Sequence, residues 1–369
     1  MVQEPGKAGH RVKVAILWTR LSGYLNACLK ELAGRDGVEL FVSHQMPSGD
    51  APFDDRQFGW MTNRLPWRSS TELDGLEQRL RAFAPDILIF AGWHIPAYRT
   101  MAKAFANQCW RVMTMDNCWM GTLRQRMSTL IARFYLHPLA DAVWLPGERQ
   151  AVFARKLGFS QRIILRGLYS CDQPAIEVPH LTRLAEGRAV PRSFLFVGRF
   201  VSEKGIDTLA EAYRAYRQAT VNPWPLICCG AGPLHSRLTD KPGIQIEGFV
   251  QPEQLAALVA RAGCLVLPSA FEPWAVVVHE AASAGLLVLA SENVGAALHL
   301  VQPDYNGFIF AGGDVEGLAL LMSRVSAMSN AQLDGMSRNS YSLSRQFSPR
   351  RWADTLLQFH AGPQKSKAS

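Results

Sequence analysis

The chain has 369 residues, of which 48% are apolar and 19% are charged. This length and composition exclude a disordered chain and a single small core, and they predict a globular protein of about two domains. The net charge of +8 favours anionic partners such as a phosphorylated substrate or an anionic lipid surface. A nucleic-acid partner is not predicted, because no recognised nucleic-acid motif accompanies the basic residues.

The cysteines and the first residues bear on where the protein works. The seven cysteines are an odd set without a C-x-x-C pair, which argues against a disulfide framework and a zinc knot. The opening segment MVQEPGKAGHRVKVAIL lacks the apolar core and cleavage site of a secretory signal. No apolar run approaches the roughly 18 residues of a membrane-spanning helix. The sequence therefore predicts a cytoplasmic protein that does not cross a membrane.

Short apolar runs alternate with longer helical patterns throughout the first half of the chain. The runs are VKVAILW (12–18), VELFVS (38–43), DILIFAG (86–92), RVMTMD (111–116), AVWLPG (142–147) and IILRGL (163–168). Strands this apolar, with helices between them, are typical of a parallel sheet that is covered on both faces. The pattern predicts a doubly wound α/β domain over residues 11–175.

The second half repeats this rhythm after a polar, proline-bearing connection near Gln173–Arg192. Its runs are SFLFVGR (193–199), PLICCGAG (225–232), IQIEGF (244–249), CLVLPS (264–269) and LLVLAS (286–291). They predict a second doubly wound domain over residues 190–345. A helix over 346–362 is predicted to pack back toward the first domain. Two such domains are expected to face a shared cleft with the carboxyl ends of their strands.

The segment FVGRFVSEKGID combines cations with the start of a helix. Gly198 and Arg199 stand at the end of a predicted strand, Lys204 follows five positions after Arg199, and a helix begins near Gly205. Unpaired N–H groups at a helix N-terminus, an arginine fork and a lysine charge together favour an anion such as a diphosphate. The alternative is a solvated arginine and lysine on an ordinary turn.

The next strand ends in CGAGPLH. Gly230 and Gly232 either let the backbone approach a ligand or make a tight turn. The segment is not a G-x-G-x-x-G fingerprint, because His235 stands where the third glycine belongs. The glycines alone therefore decide nothing about a ligand.

The segment FEPWAVVVHE follows the predicted strand CLVLPS. Glu272 falls in the loop at the carboxyl end of that strand, and Glu280 lies in the helix that follows. Both carboxylates can face the same side of the helix, where a polyhydroxyl ligand would supply hydrogen-bond partners. An ordinary pair of surface glutamates is the alternative.

The order of these motifs resembles the family 4 glycosyltransferases, which are retaining enzymes with the GT-B fold. The motifs are GRFVSEKG, CGAGP, GFV, LPSAFEPWAVVVHEAASAG and DYNGFIFAGGD, within residues 194–314. The resemblance implies two Rossmann-like domains, an acceptor-side domain first and a nucleotide-sugar-binding domain second. It is weak over the first half of the chain.

The resemblance also implies roles for individual residues. Arg199 and Lys204 would bind the donor diphosphate, Glu272 the hydroxyls of the donor sugar, and Glu280 the ribose. The backbone of Trp274, Ala275 and Val276 would lie against the sugar and phosphate, although the family usually has glycine where this chain has Ala275. Asn306 with Gly307, and Gly312 to Asp314, match turn elements for which a structural role is expected.

The first half offers three candidates at predicted strand ends. Gly23 in LSGY is the single candidate for close approach to the diphosphate, since the family's glycine-rich loop is absent there. His94 in AGWH is either a sugar ligand or a packed or capping histidine. Asp116 in TMDN is expected to act on the acceptor side, near the place where many relatives have a histidine.

The resemblance implies transfer of a sugar from a nucleotide diphosphate to a hydroxyl of a glycan or lipid-linked acceptor, with retained anomeric configuration, in cell-surface polysaccharide biosynthesis. No cofactor or metal is expected, because no D-x-D sequence is present and cations can stabilise the leaving diphosphate. The alternatives are a GT-B epimerase or phosphorylase, and a non-catalytic nucleotide-sugar binding protein.

One basic segment stands apart from these motifs. LRQRMSTLIARFYL interleaves apolar residues with Arg124, Arg126 and Arg133 at helical spacing. Such a helix is predicted to lie on an anionic membrane, which would make the protein peripheral on the inner face of the membrane. The alternative is a helix packed into the domain by its apolar residues, with solvated arginines; those apolar residues are Met127, Leu130, Ile131 and Phe134.

Overall fold

The structure is a computed structural model, and it describes residues 11–46 and 55–362. Most of the segment on which the export prediction depends lies outside these residues. The chain divides into two compact units: the first ends at Leu168 and resumes at Pro349, and the second runs from Tyr169 to Ser348.

The first unit contains a seven-stranded sheet in the order β3-β2-β1-β4-β5-β6-β7, and every paired neighbour is parallel. All four residues of ILIF in β4 are buried, as expected for a strand covered on both faces. The strands are β1 (Val12–Arg20), β2 (Val38–Gln45), β3 (Arg64–Trp67), β4 (Ile87–Phe90), β5 (Trp110–Thr114), β6 (Ala142–Leu145) and β7 (Ile164–Arg166).

The second unit contains a six-stranded parallel sheet in the order β10-β9-β8-β11-β12-β13. Its central strands are the most apolar, and all four residues of CLVL in β11 are buried. The strands are β8 (Phe194–Val197), β9 (Leu226–Cys229), β10 (Ile244–Glu247), β11 (Cys264–Leu267), β12 (Leu287–Ser291) and β13 (Gly307–Phe310).

Helices connect the strands and cover both sheets. They are α1 (Gly23–Ala33), α2 (Leu76–Phe83), α3 (Pro96–Ala104), α4 (Leu123–Tyr135), α5 (Glu148–Lys156), α6 (Gln173–Ile176), α7 (Val178–Ala185), α8 (Ile206–Ala219), α9 (Pro252–Val259), α10 (Val276–Ser283), α11 (Ala297–Leu300), α12 (Val315–Ser326), α13 (Asn330–Ser344) and α14 (Pro349–Ala361). None of these helices combines the length with the apolar character that spanning a membrane requires. The doubly wound α/β fold with two parallel sheets, predicted from the sequence, is confirmed.

The stretch between residues 175 and 190 differs from the predicted linker. It contains the end of α6 and the whole of α7, and both belong to the second unit. Arg183 of α7 is buried and pairs with Asp334 of α13 at 3.0 Å. The polar residues that indicated a linker are thus partly buried in helix packing: the buried residues of α7 are His180 and Arg183, whereas Val178 and Leu181 are exposed.

The last helix, α14, belongs to the first unit. The ring of Trp352 stacks on Trp144 of β6 with centroids 4.6 Å apart, and its Nε1 donates to the carbonyl oxygen of Leu168 at 2.9 Å. Arg35, just after α1, pairs with Asp354 at 2.7 Å. A buried aromatic pair thus fixes the chain's return to the first unit.

Candidate functional site

The strand order locates a ligand-binding edge in the second sheet. Strand β8 has β9 on one side and β11 on the other, so the connections from β8 and β11 diverge at this point. Ligands of open parallel sheets bind at the carboxyl ends of the strands at such a switch point. Apart from Gly23 in the first unit, the donor-side residues predicted from the sequence lie in the loops that leave β8, β9 and β11, or in α10 directly behind them.

Lys204 and Glu272 contact each other at this edge. The backbone N–H groups of Ala270 and Phe271 donate to the carbonyl oxygen of Glu203 at 2.9 and 3.3 Å, which joins the loop after β8 to the loop after β11. The ammonium of Lys204 then forms an ion pair with the carboxylate of Glu272, and the two side chains are only 21% and 12% exposed. A half-buried charge pair with a solvent-facing side can bind both an anion and a hydroxyl group.

Arg199 behaves differently from Lys204. Its side chain is exposed, and among the residues that the structure describes its guanidinium has no hydrogen bond or ion pair. The solvated-cation alternative thus fits the ligand-free Arg199, whereas it is wrong for Lys204. An unpaired guanidinium at a strand end remains available to an incoming anion.

Gly230 and Gly232 are required by backbone packing. A Cβ atom at Gly230 would lie 2.0 Å from the carbonyl oxygen of Gly198, and one at Gly232 would lie 2.5 Å from that of Phe200. The N–H group of Gly198 donates to the carbonyl oxygen of Cys229 at 3.0 Å, and the N–H group of Phe200 donates to the carbonyl oxygen of Ala231 at 2.8 Å. Close packing of the two loops thus requires glycine at both positions, which is a reason that differs from the ligand contact and the tight turn predicted from the sequence.

Helix α10 begins at a strained residue. Ala275 is its N-cap and has φ of 78°, in the left-handed region that favours glycine. The carbonyl oxygen of Trp274 accepts from the N–H of Ala296 at 2.8 Å, while the Trp274 ring is buried beside Phe347. The ring and the carbonyl oxygen of Trp274 are thus engaged inside the unit, whereas the first N–H groups of α10 have no acceptor within the helix.

Glu280 is a partly buried carboxylate in the second turn of α10. Burial raises the pKa of Glu280 from 4.5 to about 7. Within residues 11–46 and 55–362, its carboxylate has no hydrogen bond or ion pair. A desolvated carboxylate without a partner is unfavourable in the free protein, and hydroxyl donors from a ligand would remove this cost.

His279 positions α10, although the sequence reasoning passed over it. Its Nδ1 accepts from the N–H of Cys171 at 3.0 Å, so its Nε2–H donates to the carbonyl oxygen of Ser344 at 3.0 Å. Burial lowers the pKa of His279 to about 4, which keeps the ring neutral. The only signal in the sequence was its place directly before Glu280 in FEPWAVVVHE.

The turn residues in the same unit carry structural roles, as predicted. The side chain of Asn306 donates to the carbonyl oxygen of Leu300 at 2.8 Å and accepts from the N–H of Gln302 at 2.8 Å. Asp314 is the N-cap of α12 and accepts from the N–H of Gly317 at 2.9 Å.

The candidates of the first unit lie at the corresponding edge of the other sheet. Strands β1 and β4 are neighbours at its switch point; Gly23 follows β1 as the first residue of α1, and His94 follows β4. His94 is exposed and the N-cap of α3 is Ile95, so the packed or capping alternative for His94 is wrong. Asp116 follows β5 and is also exposed.

The described part of the chain contains no group of three or more histidine, cysteine, aspartate or glutamate residues arranged to hold a metal ion. Independence from metal stays a prediction.

The sequence of the second unit matches a known family. Residues 188–342 match the family model described as glycosyl transferases group 1. This match covers most of the second unit, which runs from Tyr169 to Ser348. The glycogen synthase of Mycobacterium tuberculosis is 34% identical over 146 residues, which cover 37% of this chain and 34% of that protein. An uncharacterized glycosyltransferase of Methanocaldococcus jannaschii is 28% identical over 141 residues, which cover 36% and 35%. The match thus spans about a third of the length of these curated relatives.

A solved structure resembles the whole chain. HepE of Anabaena, crystallised in complex with UDP, covers 95% of this chain and 100% of its own, with a TM-score of 0.73 and 17% identity. This likeness concerns the fold, and it confirms the predicted architecture of two Rossmann-like domains of the GT-B type.

Proposed function

We propose that this protein is a glycosyltransferase that moves a sugar from a nucleotide-diphosphate sugar to a hydroxyl group with retained anomeric configuration. One observation carries the proposal: the contact between Lys204 and Glu272, 68 positions apart in sequence, at the switch point of the second sheet. This contact places a cation beside a carboxylate that can accept hydrogen bonds from hydroxyl groups. A sugar diphosphate requires both groups at the bond that breaks.

The catalytic task in this reaction is to stabilise charge on the departing diphosphate. Lys204, Arg199 and the first N–H groups of α10 are suited to this task because all present positive charge at the same edge. Gly198 lies between β8 and Arg199 and adds no side chain that could obstruct the phosphate. Arg199 is exposed in the free protein, so we propose that it closes onto the diphosphate when the donor binds.

Glu272 and Glu280 are proposed to hold hydroxyl groups and not to act as nucleophiles. Glu272 stays fixed by Lys204 and accepts from the donor sugar. Glu280 accepts from the ribose, whose two neighbouring hydroxyls can both donate to one carboxylate. The raised pKa of Glu280 supports this role, because hydroxyl donors that favour the ionised form would offset its desolvation.

The acceptor is proposed to be a hydroxyl of a glycan or of a lipid-linked glycan, in cell-surface polysaccharide biosynthesis. His94, Asp116 and Gly23 lie at the switch-point edge of the first sheet and are proposed to serve the acceptor and the diphosphate from that unit. The chemistry assigned to Arg199 and Lys204 needs neither a metal nor a cofactor. Retention, the hexosyl specificity and the acceptor class come from the resemblance alone.

Turnover of a nucleotide-sugar panel tests the proposal. The purified full chain is incubated with UDP-, GDP-, ADP- and dTDP-sugars, and the product is identified by NMR. Slow hydrolysis or transfer that releases the sugar first as the same anomer supports a retaining transferase. Epimerised donor indicates an epimerase, a sugar 1-phosphate formed only with inorganic phosphate indicates a phosphorylase, and binding without turnover indicates a binding protein.

A further inference from the structure

Helix α4 in the first unit turns its apolar side to the solvent. Leu123 is 77% exposed, Leu130 70% and Phe134 80%, and Met127 and Ile131 are also more than half exposed. Ala132 is the one buried residue of this helix. The alternative considered above, a helix packed by its large apolar residues, is therefore wrong. A contiguous apolar surface of this kind marks a site of interaction.

The order of residues around the helix is that of an interfacial helix. With about 100° between successive residues, the five exposed apolar side chains fall within one arc about 100° wide. Arg124 stands at one margin of this arc, and Arg126 and Arg133 stand at the other. Arginines at both margins of an apolar face can extend along it and keep their charges at the level of polar headgroups.

The opposite side of α4 is attached to its own unit. The side chain of Gln125 donates to the carbonyl oxygen of Cys118 and accepts from the N–H of Met120, both at 2.7 Å. Tyr135 packs edge-on against Trp93, with ring centroids 6.5 Å apart. Thr122 caps the helix by accepting from the N–H of Gln125 at 3.3 Å. The apolar arc is thus exposed on a helix that is held in place.

The charge around α4 has one sign. The sequence contains no acidic residue between Asp116 and Asp141. In the part of the chain that the structure describes, Arg124 and Arg133 have no carboxylate partner, and Arg126 donates to the carbonyl oxygen of Gly121 at 3.1 Å. The surface therefore combines apolar area with uncompensated positive charge.

We propose that this face of α4 docks onto an anionic lipid bilayer. The apolar arc would enter the boundary between headgroups and acyl chains, while the three arginines would contact lipid phosphates. A second copy of the chain fits less well, because a two-fold contact through the same face would bring these arginines together without any carboxylate. Anionic lipid supplies both the apolar medium and the missing negative charge.

The attachment of α4 connects docking to the proposed acceptor edge. Gln125 binds Cys118 and Met120 in the loop that follows β5, and Asp116 lies in the same loop. Docking through α4 would therefore bring Asp116 close to the bilayer surface, where the headgroup of a lipid-linked acceptor lies. This step rests on the proposed function, whereas the binding of lipid itself does not.

Sedimentation with lipid vesicles tests the docking surface. The full chain, without nucleotide sugar, is mixed with vesicles of phosphatidylcholine and phosphatidylglycerol, or of phosphatidylcholine alone, at low and high salt. We expect binding to the anionic vesicles, which weakens as salt screens the arginines. Absence of binding at low salt would overturn the inference. In that case, binding of the nucleotide sugar to the second unit would be unaffected, as measured separately by a thermal shift of the full chain.

Two pairs of variants locate the surface. Leu130→Ser with Phe134→Ser removes apolar area, and its control is Leu298→Ser with Leu320→Ser, at exposed leucines of the second unit. Arg124→Gln, Arg126→Gln and Arg133→Gln remove charge, and their control is Arg68→Gln, Arg79→Gln and Arg214→Gln, at exposed positions elsewhere. We expect about a hundredfold loss of vesicle binding in each α4 variant and little change in the apolar control.

The arginine control loses the same net charge as the α4 variant, so it separates local from global charge. Equal losses in the two would contradict the assignment to α4. Sedimentation velocity measures the oligomeric state and so tests the alternative partner, a second copy of the chain. A wild type that forms a dimer and does not bind vesicles, together with a Leu130→Ser, Phe134→Ser variant that is monomeric, would show that a second copy occupies the face.

Discussion

The carboxyl edges of the two sheets are built in different ways. In the second unit, backbone hydrogen bonds join the loops after β8, β9 and β11, and Lys204 is already paired with Glu272. In the first unit, His94 and Asp116 are exposed, and the nearby helix α4 presents an apolar arc to solvent. The comparison indicates that the second edge is preorganised for a small charged ligand, whereas the first offers an open surface to a larger partner.

Loss of Arg199 is expected to have the largest effect. If this guanidinium stabilises the departing diphosphate, Arg199→Ala should lower turnover about a hundred- to a thousandfold, which corresponds to about 2.7–4 kcal/mol at the barrier. The measurement is kcat with the donor found in the panel. Arg214→Ala, at an exposed position of α8, is the matched control and should leave kcat unchanged. Near-normal turnover in Arg199→Ala would remove the diphosphate assignment.

Glu280 should make both stability and donor binding depend on pH. Burial raises its pKa from 4.5 to about 7, so between these values the folded state holds a proton that the unfolded state has released. The free energy of unfolding therefore falls as pH rises through about 7. Glu280→Gln should remove this fall and be more stable than the wild type at pH 8 by about 1–3 kcal/mol, measured by urea unfolding.

Replacement of Glu280 should also weaken donor binding. Wild-type affinity for the nucleotide sugar should rise as pH increases through about 7, because the ionised carboxylate accepts better from ribose hydroxyls. Glu280→Gln should lose this rise. An identical pH dependence of affinity in both proteins would show that Glu280 does not face the ribose.

Replacement of Asp116 tests the role proposed for the carboxyl edge of the first sheet. If its carboxylate contacts the acceptor, Asp116→Asn should raise the KM for acceptor about tenfold, since one charged hydrogen bond is weakened. The affinity for donor should stay the same, because the charged residues proposed to bind the donor lie in the second unit. Initial rates at varied acceptor and varied donor separate the two effects. A loss confined to donor affinity would reverse the assignment of the two edges.

Replacement of Ala275 is expected to have the smallest effect, and it should stabilise the protein, whereas most substitutions destabilise it. Its φ of 78° is unfavourable for alanine, so Ala275→Gly should raise the free energy of unfolding by about 1 kcal/mol. Ala281→Gly, inside α10, is the matched control and should lower it by about 1 kcal/mol. Urea unfolding measures both. Destabilisation by Ala275→Gly would mean that the left-handed conformation carries no strain here.

The sequence predicted the elements whose signal is local. Continuous apolar runs such as CLVLPS placed the buried strands, and helical spacing placed α8 at residues 206–219. It missed β3, whose four residues RLPW include a proline, and β13 (GFIF), whose four residues lie inside a turn motif. The polar segment near residues 175–190 was predicted to be a linker because composition does not show that polar side chains such as His180 and Arg183 are buried between helices.

The sequence predicted at which strand ends the site residues lie, but not which of these residues contact each other. Motifs at strand ends located Lys204, Glu272 and Glu280, since strand ends of a parallel sheet share one edge. Their pairing depends on how Glu203 joins two distant loops, which no local pattern encodes. The apolar spacing of α4 likewise fits a packed or an exposed helix equally well. The difference lies in whether neighbouring elements cover it, which is a tertiary property.

Calorimetric titration of nucleotide sugars into the wild type and two variants tests whether the carboxyl edge of the second sheet holds the donor. The variants are Glu280→Gln in the second unit and Asp116→Asn in the first. We expect that at least one of the UDP-, GDP-, ADP- or dTDP-sugars binds the wild type, that Glu280→Gln weakens this binding about tenfold or more at pH 8, and that Asp116→Asn leaves it unchanged. Equal affinity of all three proteins, or no binding by any, would contradict the claim that the edge of the second sheet holds the donor.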